Sequence, residues 1–306
     1  MNGFFLCAAV YGLILFLLKR RQVPVLFMRF WFTLFLFLSI VICFVACHVI
    51  QFIAQTLKCI DSNTAEEWCR GAKTVVFRYL FFPNVPHIHL KPMPGTIPFS
   101  ALSAEYMMCM CHTSFFDSLF FLCITPLQCM MKSKTFIKSS LRNLPLFGYV
   151  LRCCGHFPVY FADENSQSFS VQKEKQAQVA VEVEEFISRG GNICIFPEGA
   201  LNLTPEVLKD FRLGSFNTII NHKRPLRYIA IYGNSEIWNA RLKGIPGFPT
   251  DLYYFIGEYK YDPEHADARA VANGLREEMQ KHVDDILEER RKSGYVPYYK
   301  PKEKSG

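Results

Sequence analysis

The sequence predicts an α/β domain, a mixed sheet flanked by helices, behind an N-terminal membrane-embedded helical anchor. Three observations lead there. After residue 57, short apolar runs bounded by Gly or Pro alternate with helical patterns, the order expected of an α/β fold. The first 57 residues contain no Asp or Glu, and their only basic residues are Lys19, Arg20, Arg21 and Arg29. No internal repeat is present, so the 306 residues divide into a membrane anchor of one or two apolar helices (1–57), one domain (58–290) and a basic mobile tail (291–306).

In the anchor, residues 3–18 lie near the lower limit for spanning a bilayer. Residues 30–57 are uncharged throughout, and 31–47 are apolar enough for a spanning helix. The basic residues follow the first stretch instead of preceding it, and no small-residue cleavage site comes after it, which argues against a signal peptide. The expected arrangement is two helices joined by a Lys19-Arg20-Arg21 turn on the cytoplasmic side. Those four basic residues supply more than half of the formal charge of +7. The rest of the chain is nearly balanced, so nucleic acid is not an expected partner and the lipid bilayer is.

Residues 61–70 are polar and read as a surface connector. Pro86, Pro92, Pro94 and Gly95 exclude a long helix between 84 and 96. Residues 106–111 read as a short buried strand running into His112, and 117–124 as a helix halted before Pro126. Pro145, Gly148, Gly155 and Pro158 break 138–160 into short pieces. Val179, Val183, Phe186 and Ile187 recur at helical spacing and Gly190-Gly191 ends that helix. Residues 192–196, 227–232 and 252–256 read as buried strands. Val271, Leu275, Met279, Val283 and Ile286 form one stripe of a long amphipathic helix. From Arg290 onward the basic tail carries Gly294, Pro297 and Pro301 and reads as mobile.

Two motifs carry chemistry. Of the eight histidines only His112 has an acidic residue, Asp117, five positions later. On one continuous helix the two would diverge. If the chain turns at His112 and the helix starts after it, Asp117 orients one ring nitrogen and leaves the other to accept a proton. A helix-capping Asp beside a turn histidine is the bland alternative. The second motif, Phe196-Pro197-Glu198-Gly199, ends an apolar run in a turn that would expose Glu198 and backbone amides to a ligand. The bland alternative there is a tight turn with a solvated Glu. The twelve cysteines lack any Cys-x-x-Cys pair and several sit in apolar segments, so most read as small buried hydrophobes. Cys109, Cys111 and His112 are spaced too tightly for the usual structural zinc site, and no metal is expected. No Gly-x-Ser-x-Gly elbow supports a serine hydrolase, and Ser114 reads as a local backbone partner.

Together these motifs resemble the signature of the glycerolipid acyltransferases, the family of lysophosphatidic acid and related lysophospholipid acyltransferases. Between them, Lys138, Leu141, Pro145 and Gly148 stand in that family's Lys-x-x-Leu-x-x-x-Pro-x-x-Gly pattern. Residues 211–216 resemble its Phe-Lys-x-Gly-Ala-Phe block, with Arg212 at the Lys position. The resemblance covers residues 107–233. It implies that 58–290 is an acyltransferase domain moving a fatty acyl group from acyl-CoA, a co-substrate and not a bound cofactor, to the hydroxyl of a lysophospholipid or glycerol phosphate. His112 would be the base and Asp117 its orienting partner, with Phe196, Pro197, Glu198, Gly199, Lys138, Arg212 and Gly155 around the substrates. The departures are Cys111 where the family has Asn, Phe161 in place of a phosphate-gripping Arg, Ala200 for Thr, and residues 228–232 in place of a Pro-Val block. Lys138, Arg142, Arg152 and Arg212 are the available substitutes for the lost cation. Because of these departures, an inactive lipid-binding protein of the same fold is the alternative. The closing Lys302-Glu303-Lys304-Ser305-Gly306 resembles a dilysine retrieval signal and points to the endoplasmic reticulum.

Overall fold

The computed structural model describes residues 2–162 and 171–299. The N-terminal region forms two helices joined by a short turn, α1 (Asn2–Lys19) and α2 (Val25–Gln55). The helix α2 starts directly after Pro24, whose fixed φ suits a helix entry. It is long and apolar enough to cross a membrane by length and composition. Yet it buries Met28, Phe32, Leu36, Ser39, Cys43 and Cys47, a stripe at helical spacing that packs on the domain. Arg29, the one charge inside it, also faces the domain: its guanidinium donates to the Ile245 carbonyl and lies 4.0 Å from the Phe248 ring. Where α2 meets that loop, Gly247 has φ +94°, and a Cβ there would run into Phe32.

Residues 61–70, expected as a surface connector, instead open helix α3 (Ser62–Val76). Asp61 caps it, its carboxylate accepting from the N–H groups of Asn63 (2.8 Å) and Thr64 (3.0 Å). Their polarity disguised a buried face, since α3 buries Ala65, Cys69, Arg70 and Lys73 together. Arg70 is tolerated there because its guanidinium donates to the carbonyls of Met131 (2.7 Å) and Cys154 (2.8 Å). A π turn (Phe77–Phe81) and a 3₁₀ turn continue the helix to Asn84.

Among the described residues, seven strands form one mixed sheet, in the order β1-β7-β6-β2-β5-β3-β4. They are β1 (Ile88–Pro92), β2 (Met107–Met110), β3 (Ser133–Lys138), β4 (Phe157–Val159), β5 (Asn192–Ile195), β6 (Leu226–Tyr232) and β7 (Thr250–Tyr259). Every pairing is parallel except β6 with β7. The central strands β2 and β5 are buried along their whole length, as parallel strands covered on both faces must be. The strands β1, β3 and β4 were not read as strands from the sequence. They lie toward the sheet's two ends, where partial exposure breaks up the apolar run.

Helices α4 (Phe116–Ile124), α5 (Leu127–Met131), α6 (Phe147–Cys153), α7 (Lys173–Ser188), α8 (Leu213–Asn221), α9 (Asn234–Ile237) and α10 (Ala268–Lys292) complete the fold. The helix α10 packs on β6, β7 and α8, while α2 packs on α3 and α6. The chain beyond Arg290 is not free where it is described. Arg290 is buried, pairs with Glu236 at 2.5 Å and lies 4.5 Å from the Tyr295 ring, and Tyr299 packs on Phe248 at 5.0 Å. The aromatics Tyr295, Tyr298 and Tyr299 give this segment apolar surface to bury, which outweighs its charge. Lys302–Gly306, with the dilysine resemblance, lies outside the described residues.

Candidate active site

Three adjacent parallel strands, β6, β2 and β5, end on the same edge of the sheet. The chain leaving each strand there supplies part of one cluster, as the crevice beyond the carboxyl ends of parallel strands commonly does. His112 follows β2, Phe196-Pro197-Glu198-Gly199 follows β5, and Asn234 follows β6. The register Cys109↔Ile195 sets His112 level with Glu198.

His112 and Asp117 meet as the sequence predicted. The chain turns at His112, α4 starts at Phe116, and the His112 Nδ1–H donates to Asp117 Oδ2 at 3.1 Å. A carboxylate that accepts at Nδ1 sets the tautomer, leaving the lone pair on Nε2, to which nothing hydrogen-bonds among the described residues. The side chain of His112 is 19% exposed and that of Asp117 is 0%. Asp117 Oδ2 also accepts from the N–H groups of Thr113 (2.8 Å) and Ser114 (2.9 Å). One oxygen therefore gathers the backbone donors of the turn and orients the imidazole, while the helix cap, Phe115, makes no side-chain hydrogen bond. Ser114 is tied to backbone, its Oγ–H donating to the Trp238 carbonyl at 2.8 Å.

Asn234 was not foreseen. It is fully buried, and its Nδ2 donates to Thr113 Oγ1 at 2.7 Å and to Asp117 Oδ1. Gly233, at φ +100°, makes the turn that brings it in, and a Cβ there would meet the Asp251 carbonyl oxygen at 2.7 Å. No local pattern marks Asn234; only the adjacency of β6 and β2 does.

Glu198 does not face outward. It is 1% exposed, and burial raises its pKa against the lowering effect of its hydrogen bonds. Its Oε1 accepts the His112 backbone N–H at 3.1 Å and its Oε2 accepts the Lys209 N–H at 3.0 Å. The expectation of an exposed carboxylate fails because the parallel register aims Glu198 at the neighbouring turn. His112 is thus held on every side: the Asn202 N–H donates to its carbonyl at 2.6 Å, and the Phe196 ring stacks on its imidazole at 4.1 Å. Gly199, at φ +75°, closes the turn with its N–H on the Phe196 carbonyl at 3.0 Å. The Arg212 N–H donates to the Pro197 carbonyl at 2.8 Å, which joins the 211–216 segment to the same turn. A Glu198→Gln change leaves one acceptor oxygen for two backbone donors, so either His112 or Lys209 must face an NH₂ group. The expected loss is about 1–3 kcal/mol of stability. Chemical denaturation measures that loss.

Lys138 ends β3 on this same edge, 5.9 Å from the ring of Phe161. Gly155 does not join the site. It precedes β4, and because β4 runs parallel to β3 this places Gly155 at the opposite, amino edge of the sheet. There it packs against Glu66 at φ +66°. The next residue, His156, is buried, with Lys73 Nζ 2.6 Å from its Nε2 and the Thr135 N–H donating to its Nδ1 at 3.3 Å. A protonated ring would turn N–H groups against both donors, and burial first, then Lys73, lowers its pKa to about 4. Below pH ~6.5 the unfolded chain takes up a proton that the folded ring refuses, so stability falls as pH drops toward 4, by up to about 3 kcal/mol. The unfolding midpoint measured across that range should show this slope, and His156→Gln should flatten it.

Beneath the site lies an apolar cavity of about 110 Å³. It runs from Phe196, Met110 and Leu119 toward Met130, His156 and Lys73.

Residues 93–232 match the family profile described as Acyltransferase. The fold is similar to the crystal structure of the 1-acyl-sn-glycerophosphate (LPA) acyltransferase PlsC from Thermotoga maritima. The TM-score is 0.54 and the identity 15%, over 92% of this chain and 100% of that one. No curated protein matches the chain.

Proposed function

Because residues 93–232 carry a domain of the acyltransferase family, we propose that this protein transfers a fatty acyl group from acyl-CoA to the hydroxyl of a lysophospholipid or glycerol phosphate. The observation that carries the reading is the His112–Asp117 pair, with Nδ1 committed to the carboxylate and Nε2 without a hydrogen bond among the described residues. In the reaction Nε2 accepts the proton of the acceptor hydroxyl as its oxygen bonds to the thioester carbonyl carbon. The tetrahedral intermediate then expels the CoA sulfur, which takes that proton back from Nε2. Asp117 stabilises the imidazolium between the two steps and itself stays ionised. Glu198, Asn202 and Phe196 are positioning residues that keep the ring from shifting.

The surface around the site supports a lipid substrate. Phe115, one turn from His112, is 45% exposed, and large apolar side chains line the outer faces of α1 and α2. A long acyl chain gains about 0.8 kcal/mol per methylene moved out of water, so both substrates concentrate in a bilayer and an anchored enzyme meets them there. The cavity under Phe196 accommodates a few methylenes of the chain. Lys138, beside Phe161, supplies a cation for the acceptor phosphate where the family's Arg is replaced.

The test is transfer of a labelled acyl group by the full-length protein in liposomes. Acyl-CoA and the same chain on an acyl carrier protein serve as donors, and a panel of lysophospholipids and glycerol 3-phosphate serves as acceptors. Turnover from acyl-CoA is the expected result. Transfer from the carrier protein alone would overturn the donor, and lipid binding without turnover would leave an inactive lipid-binding protein.

A further inference from the structure

The apolar cavity beneath the site has a polar floor. Its mouth lies at Ser118 and Leu141, both exposed, and at Phe196, whose ring stacks on the His112 imidazole. Its floor is formed by Lys73 and His156, which are only 3% and 5% exposed, with Lys73 Nζ 2.6 Å from His156 Nε2. An ammonium carries three N–H donors, and one ring nitrogen can take one of them. Thr135 lines the same cavity, and its Oγ1 is buried with no hydrogen-bond partner among the described residues. The neighbouring cations are answered differently. Lys134 Nζ pairs with Glu66 at 2.6 Å, and Arg70 donates to two carbonyls. Among the described residues no carboxylate lies within ion-pair distance of Lys73, whose partner is an imidazole that stays neutral at pH 7. A buried charge without a counter-ion is costly, and an anion entering the cavity would remove that cost.

We propose that this cavity binds a free fatty acid carboxylate-first, and that the bound acid competes with the acyl chain of the donor. The carboxylate accepts from the Lys73 ammonium and from the Thr135 hydroxyl, the donors that the protein itself leaves over, in charge-assisted hydrogen bonds. The first methylenes lie against Met110, Leu119 and Leu122, and the rest of the tail leaves past Phe196 and Leu141. A plain acyl chain entering from the His112 end brings only a methyl group to the ammonium, so the acid has the advantage at the floor. The two ligands share the mouth at Phe196 and cannot occupy it together. Because the free acid is what hydrolysis of an acyl donor releases, its accumulation would slow transfer. The competition rests on the transferase reading above; the binding does not.

The experiment adds decanoate carrying ¹³C at its carboxyl to full-length protein in detergent micelles and follows the carboxyl resonance. The expected result is a bound signal, distinct from that in empty micelles, which unlabelled decanoate displaces and decanol does not. Lys73→Met keeps the length of the side chain and removes the ammonium, so it should weaken binding by roughly ten- to a hundredfold. Thr135→Val should weaken it by about two- to tenfold and serves if the first variant fails to fold. In the transfer assay decanoate should raise the KM for acyl-CoA at constant kcat in the wild type, and not in Lys73→Met. No bound signal, displacement by decanol as readily as by decanoate, or full binding in Lys73→Met would each overturn the site, whatever the transfer assay gives. Bound acid that leaves the KM unchanged would overturn the competition. A bound signal in a protein without transferase activity would overturn the transferase reading and leave the site standing.

Discussion

Replacing His112 with alanine should lower the turnover number by on the order of 10²–10⁴, the usual worth of a positioned general base. The fold should survive. The backbone bonds at 112 to Glu198 and Asn202 do not use the imidazole, and Asp117 keeps the N–H groups of Thr113 and Ser114. Binding of acyl-CoA and of lysolipid should change little, because the lost interaction acts only as the proton moves. Steady-state kinetics on refoldable, lipid-bound protein separates these outcomes. Full activity in His112→Ala would remove the mechanism.

Asp117→Asn should cost on the order of 10²–10⁴ as well, for a different reason. The amide oxygen can still accept the Thr113 and Ser114 donors, so α4 should start where it does now. What disappears is the negative charge that stabilises the imidazolium, and the new NH₂ at the Oδ1 position faces the Asn234 amide donor. The companion change Asn234→Asp tests the same point from behind. It sets a second carboxylate against Asp117 Oδ1, and like charges in a fully buried site cannot both ionise cheaply. Its pH–rate profile should shift while its substrate KM stays near the wild-type value.

The parts of this site that could be read from the chain are the local ones. The pairing of His112 with Asp117 needs only a strand, a turn and a helix within about a dozen residues, and each leaves a mark in the pattern. The stops at Pro126 and Gly190 and the stripe of α10 are legible for the same reason. Glu198 was misjudged because its direction depends on how β5 sits beside β2, a contact across 86 residues. Asn234 and Gly155 turn on strand order, which no local window contains: one was brought in by β6 and the other carried to the far edge by β4. The helix α3 was missed because its buried face includes Arg70 and Lys73, whose charges are answered by backbone carbonyls and an imidazole distant in sequence.

The close approach of Phe32 to Gly247 reaches further than the anchor. The same ring lies 6.2 Å from Phe116, beside Asp117, and 6.4 Å from Trp238, whose carbonyl holds Ser114. The helix α2 is therefore a wall of the turn that carries His112 and Asp117 and not a detachable tether. Trimming the chain at residue 57 to gain a water-soluble enzyme would remove that wall, and grafting the domain onto a foreign membrane tether would leave the gap unfilled.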